Sequence, residues 1–112
     1  MTAVAVFDVL ASPQRRQIVS LLRDGERSVT SLVDELSVAQ PVVSKQLRVL
    51  RDAGFVEVRA AGQRRMYRLR SEPFAAVDAW LEPYRRLWDE RLDALERHLE
   101  EMPSPTRRRR RR

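Results

Sequence analysis

The sequence predicts a mainly α fold with a small β-hairpin. Apolar residues recur at helical spacing in several segments before residue 54 and again after residue 72. After Gly54 the period changes from helical to two, as it does in paired strands. The length of 112 residues is that of one domain, whose small core favours completion by a second chain.

Two helices are predicted at the start of the chain. Residues 3–11 are apolar and suit a short helix. Ser12 and Pro13 begin the second helix, because serine is a good N-cap and proline is tolerated at the first helical position. Gly25 is expected to end it as a C-cap glycine. Three polar side chains of this helix are expected to face water: Gln14, Arg15 and Arg23.

Two further helices separated by a short break follow. Ser28 caps the first, in which apolar residues recur at helical spacing from Val29. The second begins at Gln40 and Pro41 and ends before Gly54. Its outer face is polar and basic, with Gln40, Ser44, Lys45, Arg48 and Arg51. Two helices joined by so short a turn form a helix-turn-helix pattern.

A β-hairpin is predicted directly after Gly54. Alternating residues indicate strands at 55–59 and 66–70, joined by a turn at residues 60–65 whose tip carries Arg64 and Arg65. A helix-turn-helix followed by such a hairpin is a winged helix-turn-helix.

The last section, residues 74–102, is helical in pattern. Pro83 is expected to start a new helix there or to kink a continuous one. Apolar residues then step by three or four, close to the seam of a coiled coil, so a second copy of the chain is the expected partner. The expected interface residues are Leu81, Tyr84, Trp88, Leu92, Leu95 and Leu99. Residues 1–102 are thus expected to form one domain, and residues 103–112 a disordered basic tail.

The charge of the chain is unevenly distributed. The net charge of +6 equals that of the terminal arginine run, residues 107–112, so the rest of the chain is neutral. Within that remainder, residues 40–70 carry +6, whereas residues 1–39 carry −1 and residues 71–106 carry −5. The positive part coincides with the two elements that a winged helix applies to double-stranded DNA.

The expected DNA contacts follow from side-chain chemistry. In the major groove, Gln40 has the chemistry to hydrogen-bond to adenine, and Lys45 has the chemistry to hydrogen-bond to guanine. The hairpin arginines suit phosphates or the minor groove. The expected DNA-binding set is Gln40, Pro41, Ser44, Lys45, Arg48, Arg64 and Arg65.

Composition excludes several other functions. The absence of cysteine excludes disulfides, thiolate zinc sites and thiol nucleophiles. His98 is the only histidine, and no nucleophile–base pair or phosphate loop is visible, so neither an enzyme nor a bound cofactor is expected. No apolar stretch approaches the roughly 18–20 residues of a membrane span, and a cytoplasmic protein is expected.

The chain resembles the ArsR-type (ArsR/SmtB) winged helix-turn-helix repressors of bacteria over roughly residues 5–100. The segments that carry the resemblance are residues 10–18, 28–32, 40–56 and 64–69. It implies a nucleoid-associated repressor that dimerises through its first and last helices. It further implies binding to an inverted-repeat operator, with control of its own promoter.

Departures from the family pattern bear on what this chain senses. Metal-sensing members often carry a Cys-x-Cys that is absent here, so arsenic sensing through those thiols is excluded. Gln46 stands where many members carry His, and Ala39 stands where many carry a capping Ser. Residues 80–88 resemble a branch that senses no metal, and the effector is left open.

Two alternatives remain open from the sequence alone. One is a winged-helix module that binds protein through its hairpin and shows no steep salt-dependent DNA binding. The other is a metal-responsive repressor in which His98 and nearby carboxylates of two chains form a site at the dimer interface.

Overall fold

The computed structural model describes residues 2–102, and the predicted basic tail, residues 103–112, lies outside the described residues. By its internal contacts the chain divides into two units between Ala79 and Trp80. The elements in chain order are α1 (Ala3–Leu10), α2 (Pro13–Leu22), β1 (Arg27–Ser28), α3 (Val29–Leu36), α4 (Gln40–Asp52), β2 (Val56–Ala61), β3 (Arg64–Leu69) and α5 (Glu72–Glu100). The prediction of a mainly helical fold with a hairpin is confirmed.

Side-chain caps begin α2 and α3 as predicted. The Ser12 hydroxyl accepts a hydrogen bond from the backbone N–H of Arg15 at 3.4 Å, and the Ser28 hydroxyl accepts one from Ser31 at 3.2 Å. These bonds satisfy donors that have no partner within the first turn of a helix. The helix α2 ends at Leu22, earlier than the predicted stop at Gly25.

Gly54 ends α4 as predicted, through a Schellman motif. The N–H of Phe55 donates to the carbonyl of Leu50 at 2.8 Å, and that of Gly54 donates to Arg51 at 3.0 Å. Gly54 adopts a φ of 82°, which disfavours residues with a Cβ. The motif turns the chain directly from α4 into the hairpin.

The core of the unit Met1–Ala79 is formed by helices α1 to α4 and the sheet. Phe55 is fully buried and meets Phe74 edge to face, with ring centroids 5.9 Å apart. The buried cluster consists of Val6, Ile18, Leu22, Leu32, Val43, Leu47, Leu50, Phe55, Val56 and Tyr67. It holds α4 and the hairpin in one packed body.

The sheet has three antiparallel strands in the order β1-β3-β2. The sequence pattern missed β1, because two residues are too few to show alternation. The predicted six-residue turn is wrong: β2 and β3 pair as far as Ala61 and Arg64, which leaves only Gly62 and Gln63 in the turn. Gly62 takes a φ of 63° there, as a tight hairpin turn requires. Together with α3 and α4, the sheet completes a winged helix-turn-helix.

The helix α5 begins at Glu72, two residues before the predicted start, and runs unbroken to Glu100. Pro83 lies inside it and starts no new helix, contrary to one of the two predicted outcomes. Since proline has no N–H, the helix lacks one backbone hydrogen bond at this position.

Candidate nucleic-acid interface

The predicted contact residues of α4 share one face of that helix. At about 100° per residue, Gln40, Pro41, Ser44, Lys45 and Arg48 fall within a sector of roughly 140°. Ser44 is half-buried and the other four are exposed. The buried line of the helix lies on the other side: Val43, Leu47 and Leu50. Burial of that line therefore directs the predicted contact residues outward.

Arg64 and Arg65 lie on β3, immediately after the turn, and both are exposed. They were expected in the turn itself. Because successive strand residues point to opposite faces, Arg65 shares a face with the buried Tyr67, whereas Arg64 lies on the other face with Met66. The hairpin thus presents one arginine on each of its faces. No hydrogen bond or ion pair joins these arginines to the α4 set within residues 2–102.

Three of the basic side chains in residues 40–70 are paired with acids. The pairs are Arg59 with Glu26, Arg68 with Glu57 and Arg70 with Glu72, with Nε or Nη2 to Oε distances of 3.0, 2.9 and 3.1 Å. Arg59 makes a second contact to Glu26 through Nη2. These arginines lie in the body of the hairpin and just after it, so local carboxylates offset their charge.

These pairs perturb two carboxyl groups. The hydrogen bond from Arg59 holds the pKa of Glu26 below its ordinary value, and Glu26 in turn raises the pKa of Arg59. The pKa of Glu72 is lowered mainly by its own backbone N–H at the start of α5, and further by Arg70. Glu26 and Glu72 therefore stay ionised beside Arg59 and Arg70 at neutral pH.

The remaining basic side chains in residues 40–70 form no ion pair or hydrogen bond within residues 2–102. They are Lys45, Arg48, Arg51, Arg64 and Arg65. Arg51 was not in the predicted contact set, although it follows Arg48 by three residues and lies on the same face of α4. The five available cations thus lie on the outer face of α4 and at the hairpin tip.

Comparison with known proteins agrees with this geometry. The profile of bacterial regulatory proteins of the arsR family matches residues 12–58. The crystal structure of an ArsR family transcriptional regulator is 33% identical, with a TM-score of 0.65, over 76% of this chain and 88% of that one. The chain belongs to the ArsR family.

This ArsR-family chain is also similar to two mycobacterial proteins. It is 43% identical over 68 residues to the HTH-type transcriptional repressor SmtB of Mycobacterium tuberculosis, over 61% of this chain and 50% of the relative. The chain therefore spans about half the length of that curated relative. A homodimeric winged helix-turn-helix DNA-binding domain from Mycobacterium bovis is 31% identical, with a TM-score of 0.60, over 74% of this chain and 77% of that one.

A side-chain cluster that sequence patterns missed joins α4 of this ArsR-family chain to α1 and α2. Gln46 bonds to Arg15 and to Gln14, and Arg15 also bonds to the carbonyl of Val9. Gln14 and Arg15 are half-buried, so the expectation that they face water is wrong; Arg23 is exposed as expected. No periodicity signals such contacts, because they depend on how the helices pack.

The predicted dimer residues of the ArsR-family chain lie along α5. Leu81 is half-buried. The other five predicted interface residues are exposed, with exposed fractions that range from 45% for Leu92 to 63% for Trp88. Trp80 and Tyr84 stack at a tilt, with ring centroids 4.9 Å apart. In α1, Val4 is 65% exposed. Apolar surface of this extent is typical of a binding surface.

In residues 2–102 no group of three or more His, Asp or Glu side chains is placed to hold a metal ion. Within the same residues, no helix is both long and apolar enough to cross a membrane.

Proposed function

We propose that this ArsR-family chain is a sequence-specific DNA-binding transcriptional repressor that binds an inverted-repeat operator as a homodimer. The observation that carries the proposal is the division of the basic side chains of residues 40–70. Those in the hairpin body and just after it are paired with carboxylates, and those on α4 and at the hairpin tip are not. Unpaired cations are the groups that displace counterions from DNA.

In this proposal α4 enters the major groove with its polar face. Gln40 and Lys45 contact base edges, for which an amide suits adenine and an ammonium suits guanine. Ser44 and Arg48 contact bases or phosphates, and Pro41 opens the helix beside them. The hairpin arginines, Arg64 and Arg65, contact phosphates or the minor groove.

The homodimer is supported by the exposed apolar residues of α1 and α5. In a symmetric pair of chains, each chain contributes the same residues to the interface. The similar domain from Mycobacterium bovis is homodimeric. Two copies place their recognition helices in successive major grooves, about 34 Å apart.

Residues 1–102 serve in this proposal as the DNA-binding and dimerisation domain, acting in the bacterial cytoplasm at the nucleoid. Residues 103–112 act as a basic tail that adds salt-sensitive, non-specific affinity without affecting sequence choice.

The test is a binding titration with the purified full chain. The probe is a labelled duplex that the wild-type chain enriches from a random-sequence pool, and an unselected duplex serves as reference. Lys45→Ala and Arg48→Ala are each expected to weaken binding to the enriched duplex roughly 5- to 150-fold, as loss of a contact worth about 1–3 kcal/mol implies.

The matched control is Arg68→Ala, which removes the same charge from a side chain paired with Glu57. It is expected to change binding by no more than about twofold, since exposed ion pairs contribute little. Unchanged binding in both α4 variants would contradict the proposal. If the affinity for DNA did not fall steeply with salt concentration, the alternative of a winged-helix module that binds protein through its hairpin would be favoured.

A further inference from the structure

Gln46 makes the side-chain hydrogen bonds that tie α4 to the other helices. Its Oε1 accepts from Arg15 Nη1 at 3.1 Å, and its Nε2 donates to Gln14 Oε1 at 3.2 Å. Arg15 Nε in turn donates to the carbonyl oxygen of Val9, in the last turn of α1, at 2.7 Å. Within residues 2–102 no other side chain of α4 forms a hydrogen bond or ion pair with another element. One amide therefore connects α4 to α2 and, through Arg15, to α1.

The orientation of α4 depends on directional contacts of this kind. Burial of the apolar side chains of α4 decides which face points outward, but apolar contacts are not directional and tolerate small rotations of the helix. Ala39 at the start of the helix makes no side-chain cap. The bonds of Gln46 are partly buried, so water competes with them less than it does on an open surface. They restrict rotation of α4 about its axis.

Gln46 itself lies away from the face proposed to contact DNA. At about 100° per residue it projects roughly 160–200° around the axis from Ser44 and Arg48. Its effect on DNA binding must therefore pass through the orientation of α4. A small rotation of a helix moves the ends of long side chains by roughly 1–2 Å, which is enough to misalign hydrogen bonds to base edges.

We propose that Gln46 is a positioning residue for DNA recognition. Its amide, held by Arg15 and Gln14, sets the angle at which α4 presents Lys45 and Arg48 to the bases. The inference rests on the proposed function and adds a residue that touches no DNA. Because Arg15 also bonds to α1, the same link joins the reading helix to a helix proposed to form the dimer contact.

The experiment compares binding of the full chain to the enriched duplex and to the unselected duplex. Gln46→Met keeps the length of the side chain and removes both hydrogen bonds. It is expected to reduce the ratio of the two affinities about tenfold while binding to the unselected duplex changes less than about twofold. Gln46→Glu keeps an oxygen for Arg15 and is expected to retain most of the discrimination.

Controls separate positioning from folding. Gln17→Met removes an exposed amide of α2 that has no hydrogen bond within residues 2–102, and is expected to leave the ratio unchanged. Arg15→Met breaks the link from its other end. The double variant with Gln46→Met is expected to lose less discrimination than the two single losses combined, since both single variants remove the bond between Arg15 and Gln46. The folded fraction of each variant is followed by circular dichroism at the titration temperature.

The outcomes are distinct. Equal discrimination in wild type and Gln46→Met overturns the inference and leaves the proposed function standing. Equal weakening on both duplexes, in step with the folded fraction, makes Gln46 a stability residue and also overturns it. Should the wild-type chain enrich no duplex, the proposed function falls and the inference falls with it.

Discussion

Neighbouring residues of the same type have different surroundings in this chain. Arg64 and Arg65 are unpaired at the hairpin tip, whereas Arg68, three residues after Arg65 on the same strand, bonds to Glu57. The strand alternation explains why the tip arginines face opposite sides. The pairing depends on the cross-strand partner, since Glu57 lies directly opposite Arg68 in the register.

Removal of both tip arginines is expected to lower the salt dependence of DNA binding. Each phosphate contact contributes about 0.9 to the slope of log affinity against log salt, so the Arg64→Ala, Arg65→Ala double variant should lose up to about 1.8. The slope is measured by titrating the unselected duplex at several salt concentrations. The control is the Arg59→Ala, Arg70→Ala double variant, which removes the same amount of charge from two arginines that are paired with carboxylates. If the two double variants lost the same slope, the tip would have no special role.

At the scale of elements, short local signals set the boundaries and tertiary contacts set the connections. The caps at Ser12 and Ser28 and the Schellman motif at Gly54 each act within one helical turn. In contrast, the pair formed by Glu26 and Arg59 joins the residue before β1 to β2 across the central strand β3. That pair links the two edges of the sheet.

The Glu26–Arg59 pair predicts a specific acid dependence of stability. The pKa of Glu26 is lower in the folded chain than its ordinary 4.5, so its stabilising effect is present above that pH and is lost as pH falls below it. Glu26→Gln is therefore expected to melt below wild type at neutral pH, with the difference shrinking below pH 4.5. Thermal melts across this range measure it.

The control for this prediction is Glu90→Gln, which removes an exposed carboxylate that has no ion pair within residues 2–102. Its melting curve should follow that of wild type at every pH. Parallel pH profiles for Glu26→Gln and wild type would show that the ion pair contributes nothing to stability.

At the scale of the whole molecule, a single chain leaves the apolar residues of α5 uncovered, and the proposed function requires two chains. From Tyr84 to Leu99 the apolar side chains are about half exposed. A second copy that covers this surface would bring a second α4 into the same assembly, as binding to two half-sites requires.

Leu92→Glu is expected to convert the dimer to a monomer, because it buries a carboxylate in an apolar interface. Light scattering at micromolar concentration measures the mass, which should fall from twice that of one chain. Binding to the enriched duplex should weaken with it. Ala94→Glu adds the same charge roughly 160° around the axis from Leu92 and should leave the mass unchanged. A wild-type mass equal to one chain would contradict the proposed homodimer.

Much of the fold and of the candidate site was predictable from sequence. The face of α4 that carries Lys45 and Arg48 follows from the helical spacing of Val43, Leu47 and Leu50, and the structure has that face exposed. The turn length and the strand positions of Arg64 and Arg65 were not predictable, since residues 60–65 contain few apolar side chains to show alternation. That Arg51 has no ion pair within residues 2–102 could not be predicted either, because it depends on which carboxylates lie near it in the folded chain.

By itself the sequence determined the helices, their caps and the concentration of positive charge in residues 40–70, because these depend on neighbours within a turn or on simple counting. Only the tertiary structure decided which cations are neutralised and which side chain ties α4 to α1 and α2. The bonds from Arg15 to Gln46, from Gln46 to Gln14 and from Arg59 to Glu26 span 31, 32 and 33 residues. Contacts at such separations exist only after the core has brought the helices and strands together.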